Sequence, residues 1–332
     1  GTNPDINTSS EFAWDSKTDL GIKDIGEFSF PLNGLELGKN YYYRFLAQNN
    51  AGSVWSPETS SFSSGSFALA ADTWPDNDLL LWLDAADVNG DGNFDNEPFA
   101  GSVDIWRDKA GGNRHAANGK GPELIYGIQN NRSVLRFNGN EYLRVQDYDP
   151  SSGKDLDFWG EGTMIFLIKS DSSQPGTYFL SKGWSSSSGW SVFTNNEEYP
   201  TFGFRGTLAI DQSTLSSGWP AQFSIFTLRK NENRRLLRTN GNLNFDLLDT
   251  GTVTASGEED LIMGGIDEDG VNKFGQFDLA ELLLYDEGLA MDRIESLEGY
   301  LAHKWGMETS LPLAHPFSTL PPQFENRPEI QL

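Results

Sequence analysis

Cysteine is absent from the 332 residues. That excludes disulfides, thiolate zinc sites and cysteine nucleophiles, and it leaves the compartment open, because many exported bacterial proteins lack cysteine. Histidine is scarce: His115, His303 and His315 are the only three, and their spacing suits no shared metal. No run of roughly 18 apolar residues occurs, so no membrane-spanning helix is expected. Positive charge is also in deficit, with 24 Lys and Arg against 48 Asp and Glu and a net charge of −24. Such an acidic surface repels phosphate backbones, which argues against a nucleic-acid partner, and it suits a saline or calcium-containing medium that screens self-repulsion. Catalytic signatures are missing too. Ser185–Ser188 lacks the G-x-S-x-G elbow and reads as a polar loop. The E-x-D-x-x-E strand motif of glycoside hydrolases does not occur, and the contiguous Glu258-Glu259-Asp260 would point its side chains to opposite faces of a strand. The expectation is a chain that is not an enzyme.

What is present centres on residues 79–107. Leu79-Leu80-Leu81-Trp82-Leu83 is an apolar run too short for an ordinary helix, the pattern of a buried strand. Asp87-Val88-Asn89-Gly90-Asp91-Gly92-Asn93-Phe94-Asp95 follows, with oxygen-bearing side chains at alternate positions and glycine at the sixth. A hard cation takes six to eight oxygens at about 2.4 Å, and a curling chain presents every second residue inward. Asp87, Asn89, Asp91, Asn93 (through its carbonyl) and Asp95 are therefore predicted to hold calcium, matching the first nine positions of an EF-hand loop. The match fails at the twelfth position, which is Pro98, and strands rather than helices flank the loop. A structural ion on a β scaffold is predicted, not a helix-switching sensor. A second cation site at Asp108 and Asn113 and an acidic loop at Asp267, Glu268, Asp269 and Asn272 are weaker candidates, a solvated turn being the plainer reading of each.

Along the chain, Tyr41, Tyr43, Phe45 and Ala47 alternate with Tyr42, Arg44 and Leu46 as in a half-buried strand; Asn50-Ala51-Gly52 turns it, and Val54–Phe62 returns. Residues 67–78 form a linker. Short strand candidates then recur: Val103–Trp106, Ser133–Phe137, Tyr142–Val145, Met164–Lys169, Thr177–Lys182, Gly189–Thr194, Thr207–Ile210, Ser224–Arg229, Arg234–Arg238, Leu261–Met263 and Leu279–Tyr285. Asn-Gly pairs at 118–119, 138–139 and 240–241 suit tight hairpins. Many short strands with turn signals predict an all-β, two-sheet jelly-roll sandwich. One helix closes it, with Ile294, Leu297, Leu301 and Trp305 on one stripe and Gly306 as its stop. Trp82, Trp106 and Trp305 fall on periodic apolar elements and read as core. Residues 320–332 read as a linker to a following module, and the start without methionine suggests a piece excised from a longer string of modules.

Residues 79–319 resemble the concanavalin A-like, LamG-type jelly-roll domains of bacterial extracellular multi-domain proteins. The resemblance rests on L-W-L-D-A (81–85), D-x-N-G-D-G (87–92), W-x-D-K-x-G (106–111), L-R-F-N-G (135–139), F-D-L-A-E (277–281), G-Y-L-A-H-K-W-G (299–306) and L-P-L-A-H-P-F (311–317). Residues 1–66 resemble the later part of a fibronectin type III domain, with Leu35, Gly38 and Tyr41 in L-x-x-G-x-x-Y and Ala47, Asn49, Ala51 and Gly52 in A-x-N-x-A-G. The resemblance implies an extracellular or cell-surface address, neighbouring modules in one chain, and a binding or adhesion role with a polysaccharide or cell-surface glycan as ligand. A spacer without a ligand, or an accessory domain of a polysaccharide-degrading enzyme, are the alternatives. Sugar faces stack on exposed rings beside hydrogen-bonding groups, which selects Trp184, Trp190, Tyr199 and Trp219 as ligand-binding candidates.

Overall fold

The computed structural model describes residues 14, 16–23, 40–57, 59–63, 78–95, 101–147, 155–157, 161–170, 174–183, 189–205, 210–215, 217–231, 234–248, 259–267 and 270–322. The chain divides into two compact units, one reaching Leu69 and one running Ala70–Phe324.

In the first unit, strands β1 (Asn40–Tyr43), β2 (Leu46–Asn49), β3 (Gly52–Trp55) and β4 (Ser60–Ser63) form two antiparallel pairs, β1 with β4 and β2 with β3. The single strand expected over 41–47 is broken at Arg44-Phe45. There Ser56 intervenes: its N–H donates to the Phe45 carbonyl at 2.8 Å, and its carbonyl accepts from the Arg44 guanidinium. The predicted turn at Asn50-Ala51 is present, with Asn49 Oδ1 accepting the Ala51 N–H at 2.8 Å. Leu35 and Gly38 lie outside the described residues.

The second unit continues with β5 (Leu79–Asp84), β6 (Ala116–Lys120), β7 (Glu123–Gln129), β8 (Arg132–Asn138), β9 (Tyr142–Val145), β10 (Glu161–Lys169), β11 (Tyr178–Lys182), β12 (Gly189–Thr194), β13 (Pro200–Arg205), β14 (Ile210–Thr214), β15 (Ser224–Asn231), β16 (Arg234–Thr239), β17 (Asn242–Leu248), β18 (Leu261–Met263), β19 (Ile266–Asp267), β20 (Val271–Asn272), β21 (Gln276–Tyr285) and helix α1 (Met291–Lys304). One sheet has the order β17-β16-β15-β10-β21-β8-β7, with β5 beside β8 on the same side of β21; the other runs β14-β13-β12-β11-β18-β9-β6. Every pairing within these two sheets is antiparallel. Their inner faces share one core. Met164, Phe166, Phe226, Leu282 and Leu284 come from the first sheet, and Phe179, Leu180, Trp190, Val192 and Phe202 from the second. Ring pairs cross the interface, Phe179 on Phe277 at 4.8 Å and Phe202 on Phe226 at 5.7 Å between centroids. The protein is an all-β sandwich with one C-terminal helix.

Alternation along the central strands explains the helix. Met164, Phe166 and Ile168 face the core, so Ile165 and Leu167 face outward, yet they are fully buried. The cover is α1, packed on β10 and β15; its Ile294, Leu297 and Leu301, and Trp305 just past its end, have no exposed surface. The predicted stripe is correct, and Gly306 stops the helix with φ +65°. A bulge leaves Ala280 without a register partner on β10, between Leu279 and Glu281. It resets the period, so that Asp278 and Glu281 both turn away from the core while Leu279 and Leu282 stay in it. Gly299 lets the tail approach the helix: a Cβ there would lie 2.5 Å from that of Phe317.

Several boundaries differ from expectation. Val103–Trp106 forms isolated bridges, Ser102 with Glu123 and Trp106 with Ala116, not a strand. Asn118-Gly119 sits inside β6 as an irregularity in its pairing with β9, not as a hairpin turn. Asn240-Gly241 does turn β16 into β17, with both φ positive at 48° and 74°. The β7–β8 hairpin uses Asn130-Asn131 instead of Asn-Gly, again with both φ positive, because asparagine tolerates the left-handed region. Of Thr207–Ile210, only Ile210 is described, at the start of β14.

Candidate functional site

The Asp87–Asp95 loop follows β5 and is curled by its own side chains. Asp87 Oδ1 and Oδ2 accept the N–H groups of Asp91 and Gly92 at 3.0 Å each; Asn89 Oδ1 accepts Asp91 N–H at 2.9 Å; Asp91 Oδ1 accepts Asn93 N–H at 2.8 Å; and Asp95 Oδ2 accepts Val88 N–H at 2.7 Å. Gly92 supplies the bend at φ +86°. The remaining oxygens, Asp91 Oδ2 and Asp95 Oδ1, both accept from the Asn89 amide nitrogen, at 3.3 and 3.4 Å. Asp91 is held low chiefly by the Asn93 N–H. Burial pushes Asp95 up. Asp87 is buried, and its nearest cation is the Lys109 ammonium at 2.6 Å. Among the described residues, no three acidic or histidine side chains stand gathered at metal-binding geometry. By type alone these are hard-cation donors, three carboxylates and an amide oxygen in one short stretch of chain.

The W-x-D-K-x-G turn is built differently from expectation. Asp108 Oδ1 accepts the N–H groups of Trp82 and Ala110 at 3.0 and 2.9 Å, and Oδ2 accepts that of Arg114 at 3.1 Å. The Trp82 carbonyl in turn accepts the Lys109 N–H at 2.8 Å. Asp108 thus closes the free edge of β5 against the turn. Asn113 stands exposed at φ +56° with no bond to Asp108. In the second predicted cation pair, both Asp108 oxygens are therefore taken up by backbone N–H groups. Asp267 Oδ2 accepts from the Arg144 guanidinium at 2.7 Å and its Oδ1 accepts the Gly270 N–H at 3.1 Å; Glu268 and Asp269 lie outside the described residues.

The chemistry-bearing groups that sequence reasoning missed lie between the outer sheet face and α1. Glu281, with no exposed surface, accepts four hydrogen bonds. Trp82 Nε1 (2.8 Å) and the Tyr300 hydroxyl (3.0 Å) reach Oε1, and Lys304 Nζ (2.6 Å) and Trp305 Nε1 (2.7 Å) reach Oε2. Lys304 also meets Asp84 Oδ2 at 2.7 Å, and Lys109 meets the same oxygen at 3.1 Å before ending on Asp87. A chain of alternating charge, Glu281–Lys304–Asp84–Lys109–Asp87, therefore runs from the helix to the loop. Burial alone would raise the Asp84 carboxyl, but the Lys304 and Lys109 ammonium groups outweigh it and hold it below the usual range. Burial, with the charges of Glu281 and Asp84, pushes the Tyr300 phenol well up. The available signal was charge inside apolar runs. Glu281 stands between Ala280 and Leu282, and Tyr300 and Lys304 lie one helical turn apart. The motifs behind the family resemblance are the very segments that supply this network.

Glu298, also buried, fastens α1 to β15, β16 and the tail. Its Oε1 accepts Thr227 Oγ1 (2.8 Å) and Arg238 Nε (2.9 Å), and Oε2 accepts Arg238 Nη2 (2.8 Å) and His315 Nε2 (3.3 Å). His315 Nδ1 accepts the Phe317 N–H, so the ring hydrogen sits on Nε2. His303 bonds the Phe317 carbonyl at 2.9 Å. Both histidines pack and cap the tail.

The four ligand-binding candidates separate. Trp190 is 1% exposed in the core, with Nε1 donating to the Leu156 carbonyl at 3.1 Å. Its register partner Lys182 lies on the same inner face, so strand alternation, not loop composition, decides its direction. It offers no face to a sugar. Trp219 is half-buried, its ring packed on Phe179 and Phe226, and it donates to Thr194 Oγ1 at 3.0 Å. Tyr199 is half-buried in the Asn195–Tyr199 turn, where Asn195 Oδ1 accepts its N–H at 2.9 Å. Tyr199 and Trp219 are thus each tied to the Thr194-Asn195 corner, the first through its backbone N–H and the second through its indole. Trp184 lies outside the described residues.

No protein-family model and no curated protein matches the chain. Solved structures do. The binding domain of Paraclostridial Mosquitocidal Protein 1 superposes with a TM-score of 0.52 at 14% identity, over 69% of this chain and 55% of that one. The likeness is one of fold. A structure described for cell entry of botulinum neurotoxin type C, dependent on two ganglioside molecules, gives 0.49 at 15% identity over 71% of this chain and 53% of that one. The chain spans about half the length of the solved domains it matches.

Proposed function

We propose that the second unit is a non-catalytic binding module, a concanavalin A-like or LamG-type jelly roll with a glycan as ligand, carried on an exported multi-domain protein beside a partial fibronectin-like unit. The observation that carries the non-catalytic part is the occupation of five buried carboxylates. Asp84, Asp87, Asp108, Glu281 and Glu298 are each buried and committed to an ammonium, a guanidinium or backbone N–H groups. A hydrolytic pair needs one carboxyl free to give a proton and one free to attack or to activate water. The fold shared with a toxin binding domain supports a binding role, and the polar turn around Tyr199 supports a glycan. Tyr199→Ala is expected to weaken binding to a glycan array hit by about tenfold, the scale of one aromatic contact. An array without any hit in calcium buffer, or release of reducing ends from a polysaccharide, would end this reading.

Calcium belongs to the same proposal. Asp91, Asp95, the Asn89 amide oxygen and the Asn93 carbonyl would hold it, with Asp87 shared between the ion and Lys109. Such an ion fixes the loop and holds charge together; it supplies no chemistry to a ligand. Chelation is expected to lower the melting temperature by several degrees, and Asp91→Ala to produce the same loss without chelator. Identical melting curves with and without excess chelator would remove the ion from the proposal.

A further inference from the structure

We propose that Lys182 and Asp157 are joined by an intramolecular amide bond, formed by the folded chain itself with Asp147 as proton carrier. Lys182 ends β11 with its side chain on the core face and no exposed surface; its Nζ lies 2.5 Å from Asp157 Oδ1 and 3.1 Å from Asp147 Oδ1. The two carboxylates are 5% and 6% exposed. One ammonium and two carboxylates are thus gathered in a site that water scarcely reaches, where separated charges are costly to keep.

The surroundings fix this geometry. Trp190, the register partner of Lys182, donates to the Leu156 carbonyl, and the Leu156 N–H donates to Asp147 Oδ1 at 2.8 Å. Leu261 pairs with both Lys182 and Val145, two residues before Asp147. Reacting groups held in contact behave as if at very high concentration. Burial pushes Asp147 up, which suits it to holding a proton in transit.

The step balances without any other reagent. Lys182 passes one proton to Asp157, giving a neutral amine and a neutral acid, and the nitrogen attacks Cγ. The second proton leaves nitrogen for Asp147, which delivers it to the departing hydroxyl. A C–N bond forms, a C–O bond breaks and one water is lost, with no oxidant or reductant. The product replaces two buried charges by a neutral amide, and it ties the 155–157 segment to the central strand of a chain that has no cysteine for a disulfide.

The test is the intact mass of the purified full chain, followed by tryptic mapping. The expected mass is one water below the sequence mass, with Lys182 uncleaved inside a branched peptide containing Asp157. Lys182→Met and Asp147→Asn are each expected to show their full sequence mass. A wild-type chain at its full sequence mass, with Lys182 in a linear peptide, overturns the proposal. So does a water deficit that persists in Lys182→Met.

Discussion

Glu281→Ala is expected to lower the free energy of unfolding by about 4 kcal/mol, the scale for removing one partner from a buried ion pair. Four donors lose their acceptor at once: Lys304, Trp82, Trp305 and Tyr300. None can turn to water, because the helix and the outer sheet face enclose them, and each unsatisfied donor carries its own desolvation penalty. Lys304 retains Asp84 at 2.7 Å, so the ammonium is not wholly abandoned, which keeps the loss from growing larger. The double variant Glu281→Leu, Lys304→Met removes both charges and is expected to recover part of the loss, since well-packed apolar groups replace buried pairs at little cost. Denaturant unfolding measures both. A single variant within about 1 kcal/mol of wild type would mean that the network is solvated and does not anchor the helix.

Glu298→Gln is expected to cost about 3 kcal/mol at neutral pH, because the Arg238 guanidinium loses its charged partner in a buried site. The deficit should shrink on acidification. Burial works to raise Glu298, but His315 and Arg238 outweigh it and hold the carboxyl below its ordinary value. A carboxyl depressed in the folded state contributes stability that is complete above its unfolded pKa and is lost as pH falls through the folded value. Wild type therefore gives up the Glu298 contribution, and that of Asp84, below about pH 4, where unperturbed carboxyls titrate. Asp95, Asp108 and Asp147 act in the opposite sense. Burial raises each of them, so the folded state takes up protons first and gains stability as pH falls from their folded values toward the ordinary one. Unfolding curves at pH 7, 4 and 3 for wild type and Glu298→Gln would separate the two groups. A deficit equal at all three would show that Glu298 does not titrate with folding.

The sequence alone determined the architecture and the helix. Period-two alternation and short strands between turn residues dictate an antiparallel sandwich, and the stripe of Ile294, Leu297, Leu301 and Trp305 dictates which helical face is buried. The self-curling of the Asp87–Asp95 loop is equally local, since every bond within it spans seven residues or fewer. Tertiary structure decided everything that depends on distant partners. Glu281 and Trp82 are separated by 199 positions, so no local pattern could join them. Strand register, not loop composition, turned Trp190 inward beside Lys182. Asp108 reads as an ion ligand by its neighbours in sequence, and becomes a clasp for β5 because the unpaired Trp82 N–H at the sheet edge needs an acceptor. Local geometry is written into a short stretch of chain, whereas a charge buried under a helix acquires its role from whichever strand the fold sets opposite it.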